Sequence, residues 1–171
     1  MRESMKKLSL YIFLVLMWCN VGFAEEFTES FVKKLTSSLL PDCKGNDYTK
    51  WTNCYGKFTN DSGRVTVSEF GNNPGKRHGL GTSKTPDGTY LEAIFENDKA
   101  VSGKLFYPNG DIFEGTFNEK GNFEGKGKYT SQDGGYVVGT WVNHKLQGKG
   151  SITDSNGNKR NVTFKDGKII N

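Results

Sequence analysis

Four Asx-Gly dipeptides recur at nearly constant spacing in the second half of the chain. They are Asp87-Gly88, Asn109-Gly110, Asp133-Gly134 and Asn156-Gly157, which lie 22, 24 and 23 residues apart. Such dipeptides favour type I′ hairpin turns, because both central residues of that turn need positive φ. The spacing therefore predicts turns at Gly88, Gly110, Gly134 and Gly157, within a tandem β-hairpin unit of about 23 residues.

An aromatic residue two positions after a small residue recurs in the same register. These aromatic anchors are Phe58, Phe95, Phe117, Trp141 and Phe164. Because side chains alternate along a strand, residues 113, 115 and 117 are predicted on one face and residues 112, 114 and 116 on the other. A single hairpin is only marginally stable in water, so we expect the units to stack and to align the anchors as an aromatic ladder.

This pattern resembles the MORN repeat, whose unit runs Tyr/Phe-x-Gly-x-Phe/Trp, then Gly-x-Gly, then Asp/Asn-Gly. The resemblance covers residues 55–169 and is best in FEGTFNEKGNFEGKGKYTSQDG and VVGTWVNHKLQGKGSITDSNG, residues 113–134 and 137–157. It implies an all-β fold, an elongated antiparallel meander of stacked hairpins, and an association with protein or lipid, but no chemistry. Residues 60–75 are interpreted as an insertion that splits the first unit, within a loop that also carries Lys76, Arg77 and His78.

Residues 1–24 have the layout of a secretory signal peptide, with a basic start, an apolar run and small residues before the cleavage site at Ala24. The apolar run Leu8–Trp18 has 11 residues. A membrane-spanning helix needs about 20, so no transmembrane span is predicted. We therefore expect the protein to be exported, either to the periplasm or out of the cell.

The segment before the repeats divides into two predicted parts. Apolar residues every four positions predict an amphipathic helix within residues 25–41, ended by Pro41, that caps the first hairpin. A membrane-surface helix is the alternative. In an exported chain, Cys43 and Cys54 predict a disulfide that closes a linker over residues 42–54. The MORN-like repeat domain then occupies residues 55–171.

The composition gives little support for chemistry. The net charge is only +4, partly from residues 1–24, and no concentrated basic face indicates a nucleic-acid partner. No ligand spacing predicts a metal, no motif predicts a cofactor, and no nucleophile motif predicts a catalytic residue. His78 and His144 are expected to be solvated in turns. Glu92 and Glu114 match in adjacent units and could serve glycoside hydrolysis, although a solvated ladder is favoured.

Lysines at matching positions of the Gly-rich strands form a predicted stripe. The candidate anion-binding residues are Lys76, Arg77, Lys104, Lys126 and Lys149. A stripe of this kind could meet anionic lipid, polysaccharide or an acidic partner, or it could only protect strand edges from aggregation. We therefore expect a non-catalytic binding or scaffold protein of the cell envelope or exterior, which uses exposed repeat aromatics and the stripe. Peripheral lipid or polysaccharide binding is the alternative, and a glycan hydrolase is a third hypothesis.

Overall fold

The computed structural model describes residues 38–170, and residues 39–170 form a compact unit. Eleven strands pair in an antiparallel sheet in chain order, which confirms the predicted all-β meander. The elements are a 3₁₀ turn at Tyr48–Lys50 and the strands β1 (Cys54–Thr59), β2 (Val65–Phe70), β3 (Arg77–Lys84), β4 (Tyr90–Glu96), β5 (Lys99–Phe106), β6 (Ile112–Phe117), β7 (Phe123–Thr130), β8 (Tyr136–Val142), β9 (Lys145–Thr153), β10 (Lys159–Lys165) and β11 (Lys168–Ile169). The predicted signal peptide and nearly all of the predicted amphipathic helix lie outside the described residues.

The segment before β1 runs along the first edge of the sheet. The Tyr55 N–H donates to the Pro41 carbonyl at 2.8 Å, and the Cys43 N–H donates to the Tyr55 carbonyl at 2.8 Å. The predicted disulfide between Cys43 and Cys54 is present. Trp51 is buried behind this bridge, with its indole N–H directed at backbone carbonyls of residues 44 and 45. The edge strand β1 is therefore covered by a covalently held segment.

Five loops of one kind lie at the end of the sheet where β1 leads into β2, and we call them the G-loops. In each, the fourth residue is a glycine with positive φ, its N–H donates to the first carbonyl, and the first N–H donates to the fifth carbonyl. They span residues 60–64, 85–89, 107–111, 131–135 and 154–158. The residue before each glycine lacks positive φ. The type I′ prediction at Gly88, Gly110, Gly134 and Gly157 is therefore wrong, and these are type I turns followed by a left-handed glycine.

Two-residue turns with positive φ at both positions lie at the opposite end. They are Asn97-Asp98 with φ of 49° and 73°, Asn143-His144 with 48° and 68°, and Asp166-Gly167 with 50° and 80°. Positive φ at both central residues is what a type I′ turn requires. Hairpins favour this turn because its twist matches that of the flanking strands. The first two turns meet it without glycine, which is why the dipeptide pattern did not reveal them.

The predicted insertion at residues 60–75 is also wrong. Residues 60–64 form the first G-loop, and β2 pairs with β1 on one side and with β3 on the other. Arg77 and His78 begin β3, and only Lys76 lies in the preceding connection. The segment is therefore an additional strand of the regular meander and not a loop inserted into a unit.

A row of small residues crosses the middle of one face of the sheet. The strand pairings place these residues opposite one another in the order Gly56, Ser68, Gly81, Ala93, Gly103, Gly115, Gly127 and Gly139. Rings from flanking positions lie over this small-residue row: a Cβ on Gly127 would lie 2.9 Å from Phe113 Cε2 and 3.1 Å from Trp141 Cδ1. The rings therefore occupy the space that larger side chains in this row would fill.

Candidate functional site

The face that carries the small-residue row and the rings is here called the aromatic face. Phe95, Trp141 and Phe164 are buried on it, whereas Phe58 and Phe117 are half-buried. The expectation that repeat aromatics are exposed for binding is therefore wrong for three of the five anchors. These rings form the interior of a sheet that has only one layer in the described residues.

Two further phenylalanines form the centre of this interior, and the sequence did not mark them as anchors. Phe113 is fully buried, and its ring stacks on that of Phe123 with 3.5 Å between centroids. Both rings meet the Trp141 indole edge-on at 5.5 and 5.6 Å. The alternation of residues 112–117 predicts Phe113 on this face, and the repeat pattern predicts that Phe123 begins the returning strand, but it does not assign Phe123 to the aromatic ladder.

The opposite face, here called the charged face, carries a row that alternates in sign. Cross-strand pairing places Glu92 opposite Lys104, Lys104 opposite Glu114, and Glu114 opposite Lys128. Lys104 Nζ lies 3.2 Å from Glu114 Oε2, and Lys128 Nζ lies 4.2 Å from the ring centroid of Tyr136. The two carboxylates considered for glycoside hydrolysis thus share a face, with β5 and Lys104 between them.

Glu92 differs sharply from Glu114 in its surroundings. The Glu92 side chain is only 2% exposed, and its Oε1 has no hydrogen-bond partner among residues 38–170. Burial raises the pKa of this carboxyl to about 7, against the opposing effects of a hydrogen bond from Tyr90 and the charge of Lys104. Its charge therefore changes near neutral pH.

The structure does not align the predicted lysine stripe in one row. Lys104 belongs to the alternating row and is half-buried, whereas Lys126 lies opposite Thr140 and Lys149 lies opposite Thr163. Lys126 and Lys149 are exposed on the charged face, and Lys76 is exposed in its connection. The candidate anion-binding lysines are thus divided between three separate environments.

Arg77 is engaged in contacts within the sheet. Its guanidinium forms a salt bridge with Asp98 and lies 4.0 Å from the ring centroid of Phe95. The arginine side chain is only 14% exposed. It therefore closes one end of the aromatic face, and binding an external anion would require it to leave these partners.

The two histidines have different surroundings. His78 is exposed, in agreement with a solvated side chain. His144 is also exposed, but its Nδ1 accepts a hydrogen bond from the Phe123 N–H at 3.2 Å, and its ring meets the Phe123 ring edge-on at 4.5 Å. His144 thus holds its turn against the interior, a role that the sequence did not indicate.

Neighbouring G-loops touch one another along the end of the sheet. A Cβ placed on the loop glycine would lie close to the second residue of the next loop: Gly63 to Pro86 at 3.1 Å, Gly88 to Pro108 at 3.6 Å, and Gly110 to Gln132 at 3.2 Å. Gly134 departs from this series, because it has no such neighbour within 4 Å. The stack is therefore interrupted between the fourth and fifth G-loops.

The third and fourth G-loops differ in their fifth residue, which coincides with the interruption. Asp111, fifth in the third loop, accepts hydrogen bonds from the Gln132 N–H at 2.9 Å and from the Tyr129 hydroxyl at 2.8 Å. These bonds tie the third loop to the fourth. Gly135 occupies the same position in the fourth loop and has no side chain to reach the fifth.

A groove of about 440 Å³ opens at this interruption. The aromatic face contributes Tyr129, Val137, Leu146, Ile152 and Phe164, and the strand ends and loops contribute Ser131, Asp133, Gly135, Tyr136, Thr153, Asp154 and Ser155. Hydrogen bonds from Ser131 and the Gly135 N–H lower the pKa of Asp133, and hydrogen bonds from Asn158 lower that of Asp154. Both acids are therefore ionised at neutral pH, and no basic residue lines the groove.

The described residues contain neither a metal site nor a membrane helix. No group of three or more His, Cys, Asp and Glu side chains within residues 38–170 could hold a metal ion. In the same range, no helix is long and apolar enough to cross a membrane.

A family model for the MORN repeat matches four consecutive segments, residues 75–90, 92–112, 113–136 and 138–159. They extend from the end of the β2–β3 connection to the start of β10, and each junction falls close to a G-loop or strand start. No curated protein is significantly similar to the chain. MORN repeats are generally involved in binding, often to membranes or proteins.

Proposed function

Since the chain carries four MORN repeats, we propose that it is a non-catalytic binding or scaffold protein that binds another protein at the cell envelope or exterior. The observation that carries the proposal is the single-layer repeat sheet of residues 38–170. Such a sheet leaves much of its side-chain surface in contact with its surroundings. Ile94, Val138 and Val142 remain 40–44% exposed on the charged face, where Val138 lies opposite Lys128 and Val142 opposite Lys145.

The geometry around the two matched glutamates favours binding over catalysis. A pair of catalytic carboxylates must face a shared substrate position. Here Lys104 stands between Glu92 and Glu114 in the strand register and pairs with Glu114. Any glycan-hydrolysing activity should therefore survive Glu114→Gln, and its loss in that variant would contradict the non-catalytic assignment.

Location at the envelope or exterior rests on two features. The first 24 residues have a signal-peptide layout, and the Cys43–Cys54 disulfide belongs to an oxidising compartment. Mass spectrometry of protein from the host, alkylated without reductant, should find a chain beginning after Ala24 with both cysteines protected. Two alkylated thiols on a chain that retains residues 1–24 would contradict export.

Protein binding is tested by affinity capture from the host envelope fraction with the exported protein as bait. We expect a protein to be retained in proportion to bait and released by competition with untagged protein. Its capture should persist after detergent extraction of lipids. A bait that retains no protein above the level of an unrelated β-sheet protein would refute the proposal.

Peripheral binding to anionic lipid or polysaccharide is the second candidate, favoured by the exposure of Lys126 and Lys149. Sedimentation with phosphatidylcholine vesicles, with and without phosphatidylserine, separates it from protein binding. Anion-dependent sedimentation that is reduced in Lys126→Gln/Lys149→Gln would support it. No sedimentation, or equal sedimentation with both vesicle types, would exclude the anionic-lipid form of this candidate.

A further inference from the structure

The charged face changes in sign between β6 and β7. Strands β4 to β6 carry both charges, as the alternation of Glu92, Lys104 and Glu114 shows. Strands β7 to β11 carry a single acid, Glu124, and their other charged residues are bases. The lysines of these strands lie on the charged face, and we call them the basic patch. They are Lys126, Lys128, Lys145, Lys149, Lys159, Lys165 and Lys168.

We propose that the basic patch is the docking surface for an acidic segment of the partner protein. This inference rests on the proposed protein-binding function, and it assigns the surface and the chemistry of the partner. The patch is not the predicted lysine stripe, because Lys76, Arg77 and Lys104 lie outside it and most of its own lysines do not belong to the stripe.

The positive charge of the patch is not neutralised by the sheet that carries it. Threonines lie opposite Lys126, Lys149 and Lys159. Lys128 has an acid opposite it, Glu114, but the Glu114 Oε2 already pairs with Lys104 at 3.2 Å. Among residues 38–170, no salt bridge joins a lysine of the patch to an acid. An acidic partner would therefore meet lysines that have not spent their charge on internal pairs.

The acids nearest to the patch are occupied by turns. Glu124 Oε2 accepts hydrogen bonds from the Asn143 N–H at 3.2 Å and from Asn118 Nδ2 at 3.4 Å. Asp166, in the turn between β10 and β11, accepts a hydrogen bond from Gln147 Nε2 at 2.8 Å. Both carboxylates thus hold local structure at one end of the strands and leave the middle of the patch positive.

One pair of lysines is an independent indication of an anionic partner. Lys165 and Lys168 are both exposed and lie directly opposite each other in the β10–β11 hairpin. Like charges directly opposite each other destabilise an antiparallel pair. Strand β11 consists of Lys168 and Ile169 alone, so the repulsion falls on one of its two residue pairs. Carboxylates of a partner placed over this hairpin would relieve the repulsion.

Apolar side chains between the lysines favour a protein over a polysaccharide or a lipid headgroup. Val138 and Val142 are each 40% exposed and lie opposite Lys128 and Lys145. The half-buried ring of Tyr136 lies beside them, with Lys128 Nζ 4.2 Å from its centroid. A protein segment with acidic and apolar side chains can pair with the lysines and cover the valines together, and burial of the valines adds to the affinity.

The spacing of the patch sets the length of a suitable probe. Strands lie about 4.8 Å apart, so the five strands span about 20 Å, and an extended peptide rises about 3.3 Å per residue. The peptide acetyl-Glu-Ser-Val-Ser-Glu-Ser-Val-Ser-Glu-amide is long enough to cross the patch. Because side chains alternate along an extended chain, it presents its acids and its valines on the same side.

The test is an NMR titration of the nitrogen-15-labelled exported protein with this peptide, and with a matched peptide in which glutamine replaces each glutamate. We expect the acidic peptide to shift the amides of Lys126, Val138, Lys149 and Thr163, and to be released by about 0.5 M sodium chloride, which screens exposed charges. The glutamine peptide should not bind. Absence of shifts at these amides, or equal binding of the two peptides, would overturn the proposal.

Charge-reversal variants test whether the patch itself is the site. Lys149→Glu/Lys165→Glu should weaken the acidic peptide by about tenfold or more, since attraction becomes repulsion at two positions. Lys57→Glu/Lys84→Glu makes the same change in net charge on β1 and β3 of the same face. Strand β3 is four strands from β7, about 19 Å, which exceeds the screening length of about 8 Å in physiological salt, so this control should bind as the wild type does.

The patch variant also reports on its own folding. Lys165→Glu places an acid opposite Lys168 and replaces a repulsive pair with an attractive one, so the urea midpoint should not fall. Loss of peptide binding at an unchanged or raised midpoint would therefore support the proposal. Undiminished binding to Lys149→Glu/Lys165→Glu, or an equal loss in the Lys57→Glu/Lys84→Glu control, would overturn it.

The source of the acidic ligand and the two levels of inference are separated by further measurements. Sedimentation with vesicles that contain phosphatidylserine, without any binding of the acidic peptide, would overturn the assignment to a protein segment. A partner captured equally by the wild type and by Lys149→Glu/Lys165→Glu would leave protein binding in place and remove the docking surface. Failure to capture any protein would remove the proposed function itself.

Discussion

Replacement of Gly127 by alanine tests whether the small-residue row is required by the rings that lie over it. An added Cβ would lie 2.9 Å from Phe113 Cε2, 3.0 Å from Phe113 Cζ and 3.1 Å from Trp141 Cδ1. Contacts between carbon atoms are optimal at about 3.5–4.0 Å, so both rings would have to move. Phe113 is fully buried and stacked on Phe123, which leaves its ring little room.

The expected cost follows from two opposing effects. Forcing an extra carbon into a packed interior costs about 1–3 kcal/mol. Replacing a strand glycine with alanine returns about 0.5–1 kcal/mol, because the unfolded chain loses less entropy on folding. We therefore expect Gly127→Ala to lower the free energy of unfolding by about 1–2 kcal/mol.

The assay is urea denaturation followed by tryptophan fluorescence, with Gly127→Ala, Phe113→Leu and the double variant compared with the wild type. Phe113→Leu removes two of the three ring atoms that the new Cβ would meet and leaves only Trp141 Cδ1, so the alanine should cost less in that background. The two changes should therefore be non-additive by about 1 kcal/mol or more, as expected for residues in contact. Additive costs, or a Gly127→Ala variant as stable as the wild type, would refute the packing argument.

Three further predictions concern other parts of the sheet. Because the folded-state pKa of Glu92 is about 7 and its ordinary value is 4.5, stability should fall as pH rises from about 4.5 to 7 and then level off. Glu92→Gln should remove this slope and stabilise the protein at pH 8 by up to about 3 kcal/mol with little effect at pH 4, as read from urea midpoints, whereas an unchanged slope would contradict the assignment. Reduction of the Cys43–Cys54 bridge, which closes 11 residues of separation, should lower the unfolding free energy by about 3 kcal/mol, and an unaltered midpoint in reductant would contradict a stabilising bridge. Asn143→Val should lower the melting temperature, because a β-branched residue disfavours its φ of 48° and because the Asn143 Oδ1 accepts hydrogen bonds from Asn118 and Asn122, while Asn143→Gly loses only those bonds and should lower it less.

The repeat period, the strand alternation and the disulfide could be predicted because each leaves a local mark in the sequence. Asx-Gly spacing locates the G-loops whatever their turn type, since every such loop needs a left-handed residue at one position. Strand β2 departs from the predicted pattern, because Ser68 stands where most strands carry glycine in the small-residue row. Phe70 does follow two positions later, but it lies only 12 residues after Phe58, so a period of about 23 residues places it in an insertion.

The groove could not be predicted, because it depends on which residues of successive loops meet. In the sequence, Gly135 is an ordinary loop glycine. Only the hydrogen bond that Asp111 makes from the same loop position one unit earlier shows that a side chain at position 135 could contact the next loop. The same holds for the charged face. Lys104 and Lys126 look equivalent in the Gly-rich strands, but the extra residues at the irregularity between Gly115 and Thr116 place Lys128, not Lys126, opposite Glu114.

Pairing in strict chain order also governs how this sheet comes apart. Every strand contacts its immediate neighbours in sequence, so the array should fold and unfold by propagation from strand to strand. The two ends are unequal starting points. At the first edge, the disulfide and the Pro41–Cys43 pairing hold β1, whereas β11 pairs with β10 through only two residue pairs. The rate of amide hydrogen exchange should therefore vary along the sheet and be fastest at β10 and β11. Unfolding would then start at this end and proceed towards β1, a direction that the repeated units alone would not set.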